Sequence, residues 1–467
     1  MSRSTAIVVC LILAGASYWL VPGLVHPDEI FQALEPANRA AFGFGVKAWE
    51  WDVGLRNWAV PGVLAGLLRL CGALGLDDVW ARRGVLSIPS LALHAAALLA
   101  VFRFAARRLD ATLATWCVAL VGTAPVVLLF ANRTLSESFS GALLLIAFER
   151  LDAAEVEGRK VAFVSGLLFG LAEVTRYGTA PFILVVLVWL AARRSKLLLP
   201  LVAGGGVIAL ALGVLDASTW GVTLESPRLG GFWHSLVEYT DFNIIKGKAG
   251  GFGRSPWWAY FPVLGVVWVA LSLVAWRWNE RLRASLPLLA SLVYLVSIMA
   301  VPHKEDRFVY PAALVILMTS APAFVWLVSR VSARLPGPAV IAATLLSVPL
   351  VPDDLLPKGS ELITLTARAQ REGSGLLIVH AGLWGTGGSF FAGGSNLMRL
   401  GDDVRPTVTR RWCTADDADD PGFVRAVADD SVRRAIVLNP TDVTTLSLTS
   451  AGFRQTDSLG DAAWFER

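Results

Sequence analysis

The chain has 467 residues, of which 55% are hydrophobic and 17% are charged. A water-soluble protein carries about 25% charged residues, so the composition excludes an entirely soluble protein and predicts a polytopic membrane protein. The formal net charge of +4 comes from short basic clusters along the chain. Because these clusters do not form one basic face, we exclude nucleic acid as a partner.

The hydrophobic segments fill the chain to about Val351 and then stop. We predict a polytopic α-helical transmembrane domain over residues 1–351, with about eleven spans, and a soluble C-terminal α/β domain over residues 352–467. Basic clusters in alternate loops mark the cytoplasmic side. This pattern places the C-terminal domain on the extracytoplasmic side, together with the outer loops 24–82, 216–256 and 302–307.

Two carboxylates follow the first hydrophobic segment, residues 7–24, which we interpret as a retained membrane anchor. Asp28 and Glu29 stand where the chain leaves the membrane, next to His26 and Pro27. A carboxylate held there by a short helix is suited to act as a general base on a lipid-linked substrate. The alternative is a solvated helix start that Asp28 caps. Both interpretations stay open at this point.

A helix that begins at Asp28 has two distinct faces. Polar residues at helical spacing share one face, which carries Asp28, Gln32, Glu35 and Arg39. Apolar residues form another face, which we expect to pack on the membrane-embedded part of the chain: Ile30, Leu34 and Ala41. Pro36 is expected to kink or end this helix, because it lacks a backbone N–H.

Aromatic residues surround a carboxylate further along the same loop. Glu50 lies between Trp49 and Trp51, and Arg56 follows. Aromatic faces beside a carboxylate can form a platform for a sugar. The alternative is that the tryptophans anchor the loop in the membrane interface, where such rings are enriched.

The second outer loop combines glycines with basic residues between 241 and 256. Its backbone N–H groups could surround an anion, or the segment could be a linker. The glycine spacing matches neither a P-loop nor a dinucleotide-binding turn, so we predict no nucleotide there.

The third outer loop contains five consecutive ionisable residues, 303–307, at a membrane boundary. Charges in this position are costly unless they have a function. Arg307 offers a planar fork and Lys304 a point charge, and together they suit a phosphodiester. With His303 they predict a clamp for a lipid phosphate. The alternative is a solvated loop.

The remaining sequence predicts neither a metal site nor a cofactor. Four cysteines are scattered at positions 10, 71, 117 and 413, without the spacing of a disulfide framework or a metal site. Strands are predicted at 375–380 and 435–438. The glycine-rich segment 382–388 follows the first of them, and we interpret it as a loop that covers the membrane site.

Four ordered motifs within residues 26–311 resemble glycosyltransferase family 22, which includes the mannosyltransferases of GPI-anchor and N-glycan assembly. The motifs are His26-Pro27-Asp28-Glu29 with Trp49-Glu50-Trp51, Arg133-Thr134-Leu135-Ser136-Glu137-Ser138, Phe242-Asn243 with Pro256-Trp257, and His303-Lys304-Glu305 with Arg307-Phe308. The sequence departs from the family pattern at Glu137, where relatives often have Asn, and at Trp258, where many have His. These departures bear on the acceptor more than on the reaction type.

The resemblance implies an inverting GT-C membrane glycosyltransferase, and we expect a bacterial member. Its donor would be a polyprenyl-phosphate sugar, with mannose as the sugar, and its acceptor a glycolipid or glycan that receives an α-linkage on the extracytoplasmic side. Asp28 would be the catalytic base, with Glu29 as second choice, while His303, Lys304 and Arg307 would bind the donor phosphate. The acceptor or sugar would be bound by Gln32, Glu35, Trp49, Glu50, Trp51, Arg56, Arg133, Asn243 and Trp257.

Two alternatives remain. One is a non-enzymatic flippase or transporter of lipid-linked sugars, although transporters tend to carry internal repeats and charges at the midplane of the membrane. The other is a GT-C enzyme that transfers a different sugar or acts on protein.

Overall fold

The computed structural model describes residues 2–220, 231–263, 266–372, 375–379, 387–392, 397–399, 412–415, 423–424, 427–430 and 432–467. The chain divides into two compact units. The first unit comprises Met1–Tyr18, Val53–Ala59 and Ile88–Leu355. The second unit comprises Trp19–Asp52, Val60–Ser87 and Leu356–Arg467.

Helices account for most of the described chain. The α-helices are α1 Arg3–Leu20, α2 Glu35–Phe42, α3 Trp49–Asp52, α4 Ala59–Ala73, α5 Val79–Ala106, α6 Ala111–Gly122, α7 Pro125–Phe130, α8 Ser136–Glu157, α9 Arg159–Thr175, α10 Ala180–Ala192, α11 Leu198–Thr219, α12 His234–Thr240, α13 Val266–Trp278, α14 Ser285–Ala300, α15 Tyr310–Val331, α16 Pro336–Ser347, α17 Ser360–Glu372, α18 Gly388–Ala392 and α19 Asp442–Ser450. Two π-helices span Glu29–Leu34 and Asp241–Ile245. The 3-10 helices span Tyr177–Thr179, Lys248–Phe252, Trp257–Val263, Glu280–Leu282, Asp306–Val309, Val348–Leu350 and Asp353–Leu355.

Several helices are apolar enough to lie in a membrane. In the described part of the chain, four are also long enough to cross it: Arg3–Leu20, Val79–Ala106, Leu198–Thr219 and Asp306–Val331. Six shorter apolar helices accompany them, and large apolar side chains are exposed on many of these helices. A contiguous exposed apolar surface needs lipid to cover it. The predicted membrane character is therefore confirmed, whereas the number of about eleven spans stays a prediction.

Helix α8 contains buried charged residues among apolar ones. It carries two fully buried carboxylates, Glu137 and Glu149, among many buried apolar residues. Each carboxylate is bound by arginine: Arg176 holds Glu137, while Arg107 and Arg150 hold Glu149. The helix can therefore bury charge, because every carboxylate has a cationic partner.

Helices α9 and α11 approach each other closely through glycine. A Cβ atom added at Gly166 would lie 2.0 Å from the carbonyl oxygen of Leu201, and one added at Gly204 would lie 2.1 Å from that of Phe163. Backbones can approach so closely only where side chains are absent, as is common between helices in membranes.

We expect Gly166→Ala to destabilise the protein by about 1–3 kcal/mol, because the added methyl group forces α9 and α11 apart. The measurement is thermal unfolding of the purified protein in detergent. Gly206→Ala on α11 is the matched control, since a Cβ atom there meets nothing within 4 Å. It should be neutral or stabilising by about 0.5–1 kcal/mol. Equal melting temperatures for the two variants would contradict this packing.

In the second unit, the helix predicted from Asp28 is present but changes type along its length. It is a π-helix over Glu29–Leu34 and continues as α2, with Pro36 in the first turn of α2. Proline fits there because the first turn of an α-helix needs no N–H donor, and the helix changes from π to α next to the position where a kink or an end was expected. Gly43 ends α2 with φ of 82°, a left-handed conformation that favours glycine.

The apolar face of this helix packs within the second unit, and its partners include Leu86 of α5, one of the helices that are long enough to cross a membrane. Ile30 and Leu34 belong to a buried cluster with Leu64 and Leu68 of α4 and with residues near the C-terminus. The residues from the C-terminal part of that cluster are Ile363, Ala367, Phe390 and Phe391. The sequence pattern identified the apolar face, but some of its partners lie more than 300 residues away along the chain.

The strands lie in the C-terminal part of the second unit. They are β1 Gly375–Val379, β2 Leu397–Arg399, β3 Trp412–Ala415, β4 Val432–Leu438, β5 Arg454–Leu459 and β6 Ala462–Glu466. Their order in one sheet is β2-β3-β1-β4-β6-β5, with parallel pairing from β2 to β4 and antiparallel pairing of β6 with β4 and β5. The predicted strands at 375–380 and 435–438 overlap β1 and β4. Of the predicted glycine-rich loop, residues 382–386 lie outside the described residues.

One face of this sheet is covered by α17. Leu362 and Leu365 of α17 pack with Ile436 and Trp464, and Val46 of the first predicted outer loop joins the same cluster. Burial of each large apolar side chain stabilises by about 1.5–3 kcal/mol. The second unit therefore combines parts of this loop with the C-terminal region. The predicted domain boundary at 351/352 itself stays a prediction.

Candidate active site

Asp28 lies at the centre of a polar cluster in the second unit. Its side chain is 18% exposed. One carboxylate oxygen accepts a hydrogen bond of 2.5 Å from the side-chain amide of Gln32, and the same amide nitrogen lies 3.3 Å from a carboxylate oxygen of Glu50. The backbone N–H of Asp28 donates to Nδ1 of His26 at 3.1 Å. Gln32 thus links two carboxylates that the sequence places 22 residues apart.

Glu29 has different surroundings. It is 3% exposed, and its Oε1 accepts a hydrogen bond of 2.7 Å from the backbone N–H of Val25. This contact closes the turn between α1 and the π-helix. Of the two neighbouring carboxylates, Asp28 is therefore the one on the accessible side, while Glu29 supports the backbone.

Glu35 is fully buried, in contrast to Asp28 on the same predicted helical face. Its carboxylate accepts hydrogen bonds from the backbone N–H groups of Val46 at 2.5 Å and Phe390 at 3.1 Å. Burial raises the pKa of this carboxyl, and the two N–H donors oppose that rise. Through these hydrogen bonds, Glu35 connects α2 to the segments that contain Val46 and Phe390.

The two tryptophans beside Glu50 also differ from each other. Trp51 is buried, and its indole N–H donates to the backbone carbonyl of Phe31 at 3.1 Å, so it fixes the π-helix. Trp49 is 42% exposed. Of the predicted aromatic platform, Trp49 is thus the ring with an accessible face.

Arg307 lies at the centre of a charged chain in the first unit. Its guanidinium Nε donates to Glu305 at 2.5 Å, and its Nη1 lies 3.3 Å from Oε1 of Glu137. The same Glu137 oxygen accepts a 2.7 Å hydrogen bond from Arg176. Charges of opposite sign therefore alternate along this chain of contacts, which is the arrangement that buried ion pairs require.

Phe308 lies beside both guanidinium groups. Their carbon atoms are 4.7 Å (Arg176) and 5.1 Å (Arg307) from the centre of its ring. Such stacking on an aromatic face restricts the orientation of a guanidinium. The sequence singled out Glu137 only as a departure from the family pattern, and the structure places this carboxylate in contact with both Arg176 and Arg307.

His303 and Lys304 stand at the beginning of the same loop. Nε2 of His303 lies 2.7 Å from Glu305, so the histidine extends the charged chain. Lys304 donates to the backbone carbonyls of Val301 at 2.5 Å and Ser255 at 3.3 Å. Partial burial lowers the pKa of the Lys304 ammonium group. The predicted trio therefore lies close together in the first unit, and Glu305 of the same motif contacts both His303 and Arg307.

The other predicted residues are spread over the first unit. Arg133 is buried, donates to the carbonyl of Leu129 at 3.2 Å and stacks on Tyr18. Asn243 donates to the carbonyl of Tyr239 at 3.1 Å. Trp257 is exposed. The backbone carbonyl of Arg56 accepts a hydrogen bond from the indole N–H of Trp220. Their assignment to a sugar or acceptor stays a prediction.

Two lysines of the second outer loop contact other side chains of the same loop. Lys246 forms an ion pair with Asp241, and Lys248 lies over the ring of Phe242. Gly247 and Gly253 adopt positive φ angles of 59° and 124°. In the part of the chain that the structure describes, no group of three or more His, Cys, Asp or Glu side chains could hold a metal ion.

Comparison of the fold identifies the class of protein. The chain resembles ArnT from Cupriavidus metallidurans, solved in complex with undecaprenyl phosphate, with a TM-score of 0.62 over 99% of this chain and 97% of that chain. The two sequences are 14% identical, so the likeness concerns the fold. The protein is an integral membrane protein with a GT-C fold.

The family follows from the sequence match. Residues 6–351 match the Alg9-like mannosyltransferase family, and the chain belongs to that family. It is 28% identical to GPI mannosyltransferase 3 of Yarrowia lipolytica over 333 residues, which cover 69% of this chain and 62% of the relative. It is 26% identical to α-1,2-mannosyltransferase alg9 of Schizosaccharomyces pombe, with coverage of 68% and 57%. The chain thus spans about 60% of the length of these curated relatives. The resemblance to glycosyltransferase family 22 is confirmed, while a bacterial origin stays a prediction.

Proposed function

We propose that this protein is an inverting mannosyltransferase that moves mannose from a polyprenyl-phosphate donor to a glycolipid or glycan acceptor and forms an α-linkage. Membership of the Alg9-like family supports the reaction class. The observation that carries the proposal is the cluster of Asp28, Gln32 and Glu50, because it holds an accessible carboxylate in a fixed orientation just after the first membrane helix.

In the proposed reaction, Asp28 acts as the general base. It removes the proton from the acceptor hydroxyl while the hydroxyl oxygen forms a bond to C1 of the sugar. The bond between C1 and the phosphate oxygen breaks, and its electron pair leaves with the phosphate. Attack from the face opposite the leaving group converts a β-linked donor into an α-linked product.

Lys304 and Arg307 stabilise the charge that develops on the departing phosphate, with His303 beside them. Arginine suits this role because its fork can bind two phosphate oxygens, and lysine adds a point charge. The charged chain through Glu305 and Glu137 supports the proposal, since it fixes the Arg307 guanidinium before the donor arrives.

The test is an assay of the purified protein in sealed lipid vesicles with a panel of polyprenyl-phosphate sugars and candidate glycolipid acceptors. The products measured are released polyprenyl phosphate and the glycosylated acceptor. We expect transfer from the mannosyl donor and none from GDP-mannose. Translocation of the donor without release of polyprenyl phosphate would instead indicate the flippase, and transfer from another sugar donor would correct the proposed substrate.

We further propose that the C-terminal region and the outer loops lie on the extracytoplasmic side. Asp430 is a suitable reporter because its side chain is fully exposed. In a background without native cysteines, Asp430→Cys should react in intact cells with a thiol reagent that cannot cross the membrane. The matched control is Glu155→Cys, an exposed position between basic residues predicted to be cytoplasmic, which should react only after the membrane is opened. The reverse pattern would refute the topology.

A further inference from the structure

Glu137 occupies an unusual position between two arginines. Its side chain is fully buried, and its Oε1 contacts both Arg176 at 2.7 Å and Arg307 at 3.3 Å. Its Oε2 accepts a hydrogen bond of 3.0 Å from the hydroxyl of Ser136. A single carboxylate therefore holds two guanidinium groups at a fixed separation.

The four ion-paired side chains Arg176, Glu137, Arg307 and Glu305 carry two positive and two negative charges, which cancel. His303 and Lys304 belong to the same loop, and His303 contacts Glu305. The Glu137 carboxylate lowers the net positive charge of this group by one. Without that carboxylate, the same group would favour a ligand with more negative charge.

This difference matters because the two phosphates in the proposed reaction differ in charge. The donor is a phosphodiester and carries one negative charge. The product, polyprenyl phosphate, is a phosphomonoester whose second ionisation has a pKa near 6, so it carries about two negative charges above neutral pH. A strongly cationic site would retain the product and slow turnover.

We propose that Glu137 is a positioning and charge-setting residue that keeps the phosphate site selective for the singly charged phosphodiester over the doubly charged phosphomonoester. This inference rests on the proposed function, because it takes Arg307 as a ligand of the donor phosphate. Glu137 itself acts through Arg307 and Arg176 and does not touch the substrate.

The test compares two ligands at one pH, so that titration of protein groups cancels. Binding of farnesyl phosphate and of its methyl ester, which is a phosphodiester, is measured at pH 8 in detergent. Coulomb energy is proportional to the charge of the ligand. If a substitution strengthens binding of the singly charged methyl ester by some factor, it should strengthen binding of the doubly charged farnesyl phosphate by roughly the square of that factor. In Glu137→Gln we expect about threefold to tenfold tighter binding of the ester and about tenfold to hundredfold tighter binding of the monoester. Product inhibition of turnover by farnesyl phosphate should increase in parallel.

Two further variants separate charge from structure. Glu137→Asp keeps the charge and should restore the wild-type ratio of the two affinities. Glu149→Gln is the matched control, because Glu149 is an equally buried carboxylate bound by arginines on the same helix, about 18 Å away along its axis. It should lower stability but leave the affinity ratio unchanged.

Equal changes for both ligands in Glu137→Gln, or no change, would overturn the proposal. If that variant does not fold, the two affinities of the wild-type protein still test the proposal. A wild-type site that binds the monoester at least tenfold more tightly than the ester would contradict it. Arg307→Ala distinguishes this failure from that of the proposed function. If it leaves the affinity for both ligands unchanged, Arg307 is not the phosphate ligand and the proposed function itself must be revised.

Discussion

Asp28→Asn should reduce mannosyl transfer by roughly 10²–10⁴-fold or more, because the amide cannot accept the proton of the acceptor hydroxyl. The substitution preserves shape, so Gln32 can still approach the side chain, and donor binding should stay near the wild-type value. The measurement is the single-turnover rate of sugar transfer at saturating donor, together with the affinity for a donor analogue.

Two controls make this result interpretable. Asp52→Asn changes an exposed carboxylate in the same loop, which pairs with Lys47, and should retain nearly full activity. Glu29→Gln should chiefly lower the melting temperature, because Glu29 binds the backbone N–H of Val25. Substantial turnover by Asp28→Asn would remove Asp28 as the base. A loss of turnover in Glu29→Gln without a loss of stability would favour Glu29 instead.

Arg307→Lys should weaken donor binding and slow transfer by roughly 10²–10³-fold, although the positive charge is kept. Lysine cannot make the paired hydrogen bonds of the guanidinium to Glu305 and to a phosphate at the same time. Adding Lys304→Ala should increase the loss, since the second cationic group is then also removed. The measurements are the dissociation constant for the donor and the rate of the chemical step.

Arg330→Ala at the other end of α15 is the matched control, and it should leave donor affinity unchanged. Because Arg307 also neutralises Glu137 and Glu305, its variants must be compared at equal folded fraction, which thermal unfolding provides. Wild-type donor affinity and wild-type rate in the Lys304→Ala, Arg307→Ala double variant would eliminate the phosphate clamp.

Local patterns in the sequence were enough to locate several of these features. The ionisable run 303–307 stands out at a membrane boundary, and the structure brings His303 and Arg307 into contact with the same carboxylate, Glu305. The pairing of Asp28 with Gln32 follows from one helical turn. Such contacts lie within a few residues, so spacing alone predicts them.

Contacts between distant segments were not predictable in this way. Spacing placed Glu35 on one face with Asp28, but it did not predict its partners, which are the backbone N–H groups of Val46 and of Phe390, 355 positions away. No local pattern predicts that Arg176 contacts Glu137, because the two residues lie 39 positions apart in the sequence. Whether a charged group can be buried depends on the partner that the fold brings to it, and a periodic sequence pattern does not identify that partner.

The sequence by itself determined the class of this protein: its apolar composition requires a membrane, and its ordered motifs match one family over residues 6–351. Only the tertiary structure showed that Glu35 is buried and accepts backbone hydrogen bonds, and that Ile30 and Leu34 also pack against residues of the C-terminal part of the chain. It also decided that Glu137 joins two arginines. The physical reason is that composition and periodicity indicate which face of each segment is apolar and which is polar. Ion pairs and core contacts instead depend on segments that only folding brings together.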